Sequence, residues 1–282
     1  MTQRRELEQR VAGLGEIAEI MRSMKNLAYM ETRRLSRLLA NQQALVEQLE
    51  RVAADFLVWH PHIAPATDGG RVVWLAVGSR RGFCGDFNER LRTRLLAEFD
   101  PTAGDTAVIA VGHKLCARLG DDLELAAALE GADVAEEIPP VMSAVVAALA
   151  ALEEAHGPAS LKVLWQDPDD PQPRVRQLLP PFLGPPDDPP PSYALAPLIN
   201  LPPGDLLLGL TEQYLFAALH ALLYASLLAE NDRRMRHLDA AGRYLDDRAG
   251  DLQRRLRSLR QEEMIEEIEV ILLNAVGREQ AT

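Results

Sequence analysis

The 282-residue sequence predicts an α/β protein: a small domain with a mainly parallel sheet, inserted between N- and C-terminal helices that pair as a long antiparallel coiled coil. Three observations carry this. All 19 prolines lie between Pro61 and Pro203, so both ends are free of the residue that breaks helix interiors. Both ends show apolar residues at helical spacing, and the middle shows short valine-rich runs that end at glycine. Charge divides along the same lines: residues 1–59 carry 9 basic and 8 acidic groups, 227–282 carry 10 and 12, and the segment between them 11 and 22. These shifts delimit an N-terminal helix over 1–59, an α/β domain with a proline-rich loop over 60–203, and a C-terminal helix over 204–282.

In the first arm the apolar stripe runs Leu7, Val11, Leu14, Ile17, Met21, Met24, Ala28, Leu35, Leu39, Val46, Leu49, Ala53 and Phe56, in steps of three, four and seven. The second arm is stricter. Leu238, Leu245, Leu252 and Leu259 are one heptad apart, with Met235, Ala249 and Leu256 between them, which is a coiled-coil seam. As helices the arms are on the order of 75 Å and 100 Å long, beyond the diameter of a compact domain, and a rod is expected. The closing stretch MIEEIEVILLNAV is apolar around most of its circumference; Ile265, Ile268, Val270, Ile271, Leu272, Leu273 and Val276 cannot all face one partner helix, so an enclosing partner is expected.

In the middle, Arg71–Ser79, Thr106–Gly112 and Ser160–Gln166 read as buried strands, and Asn88–Phe99, Lys114–Leu119 and Val141–His156 as helices. The order β-α-β-α-α-β implies a small Rossmann-like α/β domain. From Asp167 to Pro203 the chain is dense in Pro and Asp, a long loop or a weak edge strand around Arg174–Leu179.

Composition narrows the function. A net charge of −12 disfavours a non-specific nucleic-acid binder, because an acidic chain is repelled by phosphates. MTQRRELEQR lacks the apolar stretch of a signal peptide, and Leu206–Leu210 and Tyr214–Ala229 fall short of roughly 20 clean apolar residues. Cys84 and Cys116 form no CxxC pair, consistent with a reducing compartment, and the cytoplasm is the default. There is no GxxxxGK[ST], GxSxG, HExxH or EF-hand loop. His60 and His62 have metal-like spacing but lack a third ligand. The glycine-rich loop Gly78–Asn88 follows a strand and precedes a helix, where a nucleotide site can form, but its spacing is not GxGxxG. Cys84 is a nucleophile only if a histidine such as His113 approaches it; the alternative is a tight turn with a small buried thiol.

Three motif regions resemble the γ subunit, the central rotor shaft, of F-type ATP synthases. Leu14, Ile17, Ile20, Met24, Leu27 and Ala28, followed by Arg33–Arg34, are similar to that family's opening helix. Ser79-Arg80-Arg81-Gly82-Phe83-Cys84-Gly85-Asp86-Phe87-Asn88 is similar to its S-D-R-G-L-C-G-G-L-N, and Val111-Gly112-His113-Lys114 to its V-G-x-K. Arg260-Gln261, Glu267-Ile268 and Ile271 fit its R-Q-x-x-I-T-x-E-I-x-x-I. The chain departs at Ile265 and Glu266, where the family has Thr and Gln, at Asp86 for a glycine and at Arg80 for an acidic residue. Such departures suggest a side branch, such as the second F-type ATPase operon of some bacteria.

The resemblance implies a non-catalytic rotor that needs no cofactor or metal and couples ion flow through a membrane ring of c subunits to ATP synthesis or hydrolysis at the β subunits. The implied partners are three α and three β subunits, the ε subunit and the c-ring, at the cytoplasmic face of a bacterial plasma membrane. Implied partner contacts are Arg22, Lys25, Arg33, Arg34, Arg260, Gln261 and Glu267, with Ile268 and Ile271 as bearing residues in an apolar sleeve. Ser79, Arg81, Gly82, Cys84, Gly85 and Asn88 form a structural loop. A self-associating coiled-coil scaffold and a Cys84 enzyme are the competing readings.

Overall fold

A computed structural model describes residues 2–65, 70–99, 106–183 and 197–279. The N-terminal arm is a single helix, α1 (Thr2–Trp59), and the C-terminal arm another, α5 (Pro203–Glu279). Between them run β1 (Arg71–Val77), α2 (Phe87–Glu98), β2 (Thr106–Val111), α3 (His113–Leu119), β3 (Ala127–Leu129), α4 (Ile138–His156), β4 (Ala159–Gln166) and β5 (Pro173–Leu179). Single 3₁₀ turns lie at Pro61–Ile63 and Ala135–Glu137. The chain divides into two compact units, Met1–Leu27 with Met235–Thr282, and Ala28–Arg234.

The larger unit is built on a five-stranded sheet in the order β3-β2-β1-β4-β5. β1, β2, β3 and β4 are parallel and β5 is antiparallel to β4. Alternation along β1 gives each face its core, since successive side chains of a strand point to opposite sides. Val73, Leu75 and Val77 join α4 and the nearby parts of α1 and α5 through Leu35, Val145 and Leu219. Trp74 and Ala76 face α2 and α3 through Phe87, Leu91 and Leu115. Covered on both faces, the strands are continuous apolar runs.

The element order matches the sequence expectation, with two differences. β3 has only three residues and is too short for a periodic signal. α4 begins at Ile138 rather than Val141, because Pro139 and Pro140 occupy a first turn in which their missing N–H groups have no helical partner to lose. The weak edge strand is β5. The proline-dense stretch 184–196 lies outside the described residues. α4 and part of α5 are long and apolar enough to cross a membrane by length and composition, α4 having gone unnoticed in the sequence. Part of each lies in the sheet's core, through Met142 and Val145 of α4 and Ala217, Leu219 and Leu228 of α5.

The smaller unit is a helix pair. Arg4 meets Glu263, Glu8 meets Arg260 and Lys25 meets Asp239, so the α5 partner falls in number as the α1 residue rises, and the helices are antiparallel. The α1 seam steps Leu7, Val11, Leu14, Ala18, Met21, alternating four and three as a heptad requires. Here the sequence expectation is corrected. Ile17 is 49% exposed while Ala18, at 3%, takes the seam position, because four residues after Leu14 continue the stripe and three do not. On α5, Leu238, Leu252 and Leu256 are buried and Leu245 and Leu259 half-buried.

Candidate functional site

Two constellations hold the residues singled out in the sequence. The first lies in the larger unit at the C-terminal end of β1, the centre of the sheet, where the topology of an open α/β fold leaves its crevice. The chain leaves β1 through Gly78, whose N–H donates to Val111 O at 2.8 Å, and enters Ser79, fully buried. The Ser79 backbone N–H donates to Asn88 Oδ1 at 3.0 Å, and the Asn88 amide returns a hydrogen bond to Ser79 Oγ at 2.7 Å. Ser79 Oγ donates to Arg81 O at 2.8 Å and lies 3.4 Å from Cys84 Sγ. Serine and asparagine, nine residues apart, thus close the loop onto the start of α2. Gly85 turns it with φ +63°, and Phe83 shares that left-handed conformation with its ring half exposed. A non-glycine residue there costs of order 1 kcal/mol or more, so the surrounding bonds must enforce it.

Gly112 is the second fixed point. Its φ is +105°, and a Cβ there would come within 2.5 Å of Gly78 O, so β2 turns into α3 hard against the β1 loop. Lys114 N–H then donates to Ser79 O at 3.0 Å, which ties the two motifs together.

The crevice does not activate Cys84 as a nucleophile. Burial pushes the Cys84 thiol up from its ordinary value, away from the thiolate a nucleophile needs. Its hydrogen bonds are to Ser79 and the Arg81 carbonyl, and His113 is exposed at the start of α3. Among the described residues no group of three His, Cys, Asp or Glu could hold a metal; His60 and His62 have ring centroids 6.0 Å apart and nothing added to them.

Around the loop the fold gathers charges that the sequence reading missed. Asp133, 9% exposed, receives Arg81 Nε at 2.9 Å and Arg80 Nη1 at 3.4 Å, both on Oδ2. Arg80 also meets Glu137 at 3.2 Å. From α5, Arg234 Nε donates to Gly82 O at 3.3 Å while its other nitrogens pair with Asn231 at 2.9 Å and with the buried Glu230. Burial raises the Glu230 carboxyl to about 7, against the pull of Arg234. The sequence held one signal for this cluster, Glu230 four residues before Arg234 in ENDRR, but no local rule joins residues 80, 133 and 234.

The second constellation is the helix pair of the smaller unit. Lys25 sits against Asp239, and the Lys25 ammonium and Arg243 guanidinium hold that carboxyl below the usual carboxylate range. Arg22 approaches Asp246 only to 3.9 Å, with both side chains about two-thirds exposed. Arg260 and Arg4 both hydrogen-bond Glu8 and hold its carboxyl low. Gln261 and Glu267 are exposed, and Ile268 and Ile271 are 49% and 66% exposed. The cause is register: with Glu263 opposite Arg4, no described α1 residue lies opposite Ile268 or Ile271. Leu272, Leu273 and Val276 lie outside the described side chains. In the larger unit, Arg34 pairs with Glu136, and Arg33 lies 6.0 Å over the Tyr29 ring.

The chain matches the ATP synthase family model over residues 3–275. Sequence comparison with curated proteins gives no match. Its fold is similar to solved structures: a chain of the Euglena gracilis mitochondrial ATP synthase rotor (12% identity, 93% of this chain and 99% of that one, TM-score 0.60), and a chain of the OSCP/F1/c-ring assembly of the same synthase (13%, 99% and 94%, 0.59). A chain of the Tetrahymena thermophila mitochondrial ATP synthase central stalk/c-ring is also similar (14%, 79% and 99%, 0.56). At these identities the structures speak for the fold, and the family follows from the model that spans nearly the whole chain: the protein belongs to the F-type ATP synthase γ family, a rotor subunit of the central stalk, peripheral to the membrane, whose partners are other subunits of that complex.

Proposed function

We propose that this chain is a non-catalytic shaft that turns inside three α and three β subunits, with the ε subunit and the c-ring as its other partners, at the cytoplasmic face of a bacterial plasma membrane. Ion flow through the c-ring rotates it, and an asymmetric rigid body pushes each β site in turn through its nucleotide-binding states. The observation that carries this reading is the stretch of α5 beyond the reach of described α1 residues. Met264, Ile265, Ile268 and Ile271 are all about half exposed or more there, an apolar surface that a soluble helix pair has no reason to keep bare. Sheathed in an apolar sleeve, that surface becomes a bearing. Arg22, Lys25, Arg33, Arg34, Arg260, Gln261 and Glu267 remain the polar contacts proposed for the sleeve's rim, with Ile265 and Glu266 replacing the family's Thr and Gln beside them.

Co-expression with α and β subunits, followed by size-exclusion chromatography and ATPase assay with and without this chain, tests the reading. A complex with one copy per three α and three β, and activity that depends on it, is the expected result. A homodimer that ignores those subunits overturns it in favour of a coiled-coil scaffold. Ile271→Asp places a charge in the sleeve and is expected to weaken assembly; unchanged assembly of that variant removes Ile271 from the bearing.

A further inference from the structure

The loop after β1 carries two adjacent arginines, Arg80 and Arg81, and the fold brings the compensating acid from residues 130–137. Glu130, Asp133 and Glu137 all lie within 4 Å of the Arg80 guanidinium, at 3.6, 3.4 and 3.2 Å. Asp133 is the least exposed of the three. It takes both arginines of the loop on one oxygen while its Oδ1 is buried without a hydrogen-bond partner, and its own N–H donates to Glu137 at 2.8 Å. The segment that presents these carboxylates is gripped in turn by α1, through Glu31, which accepts the Ala135 N–H at 2.7 Å, and through Arg34, which pairs with Glu136. On the other side the loop is gripped by α5, through Arg234 on the Gly82 carbonyl.

One connected network therefore joins α1, residues 130–137, the β1 loop and α5. Glu31 and Arg34 lie close after the start of the larger unit, and Glu230 and Arg234 are at its end, so the network grips both long helices just where they pass out of that unit. The sheet holds these helices mainly by apolar packing, which is non-directional, together with Ser226 Oγ of α5, which donates to Val77 O at 3.1 Å; the network adds charged hydrogen bonds, whose direction fixes rotation about a helix axis.

We propose that Asp133, with Arg80 and Arg81, is a positioning centre that locks both long helices to the sheet against twisting and so carries torque between the α/β unit and the helices. The proposal rests on the rotor reading above. Asp133→Asn frees the Arg81 guanidinium and leaves Arg80 held by Glu130 and Glu137 alone, so the loop's link to residues 130–137 loses its central, most enclosed carboxylate. Asp133→Glu keeps the charge.

The test uses assembled complexes containing α, β and this chain. The angular fluctuations of a bead attached to exposed α4, with the α and β subunits fixed to a surface and the motor stalled, report the torsional stiffness. Asp133→Asn is expected to assemble and hydrolyse ATP without load but to show wider fluctuations than wild type, and Asp133→Glu to restore them. Where Asp133→Asn fails to assemble, the half-exposed Glu137→Gln takes its place, and wider fluctuations are again expected. Wild-type stiffness in the assembled variant, or equal loss in the Asn and Glu variants, overturns the torque role. Failure of the wild-type chain to assemble with α and β would instead defeat the rotor reading, which keeps the two outcomes apart.

Discussion

The larger unit and the helix pair are stabilised in opposite ways. The larger unit buries both faces of a sheet, and its ionic cluster is centred on enclosed carboxylates, Glu230 at 2% and Asp133 at 9% exposure, which Arg80 and Arg81 reach from the surface. The helix pair has one narrow seam with its ion pairs along the edges, where Lys25, Asp239, Arg4 and Glu8 are each more than a third exposed. It also leaves Ile17, Ile20, Leu27 and Tyr244 in solvent. A protein that folds alone does not need such a surface, and a shaft that turns against other subunits does. The contrast teaches that charge does different work in the two places, fixing geometry in one and only tuning pairing in the other.

Changes to each region should separate these roles. The largest effect is expected from Leu252→Pro, which removes a helix hydrogen bond and a buried seam residue together and costs at least about 3 kcal/mol. Circular dichroism should show loss of helix from the arms and a second, unshifted transition from the α/β unit; a single unchanged transition would contradict the division. Next, Leu75→Ala at the centre of the sheet, fully buried, is expected to lower stability by about 3 kcal/mol in denaturant unfolding, while the signals of the helix pair persist.

The third change is electrostatic. Glu230 has its carboxyl raised from 4.5 to about 7, so the folded state holds its proton more tightly than the unfolded chain. Its stabilising contribution is complete below pH 4.5 and is lost as pH rises through 7. Relative to Glu230→Gln, the wild type should therefore lose up to about 3 kcal/mol between pH 4.5 and pH 8. Parallel stability curves for the two proteins would show that Glu230 is ionised throughout. The smallest effect is expected from Lys25→Met. The pair faces solvent, so the difference between the two melting temperatures should be small and should vanish in high salt.

Much of this contrast was legible in the sequence. Proline-free ends, a leucine heptad and three valine-rich runs are local patterns, and each became the element it suggested. The hydrogen bonds within the loop Ser79–Asn88 run between residues no more than nine apart, whereas Lys114 and Arg234 join it from far along the chain. The misses share a cause. Ile17 was placed in the seam because three-residue and four-residue steps are both helical; only a partner helix decides which continues the stripe. β3 pairs through Ala127, Ala128 and Leu129 with a strand nearly twenty residues earlier and carries no pattern of its own.

The sequence by itself determined the fold class, the antiparallel arms, the loop after β1 and the family, because hydrophobic periodicity and short motifs are properties of neighbouring residues. Tertiary structure alone decided that Arg80 and Arg81 converge on Asp133, that Arg234 reaches back to Gly82, and that Ile268 and Ile271 lie beyond the described partner residues of α1. Those outcomes depend on register and on distance through space, and residues 50 to 150 positions apart become neighbours only when the sheet and helices pack.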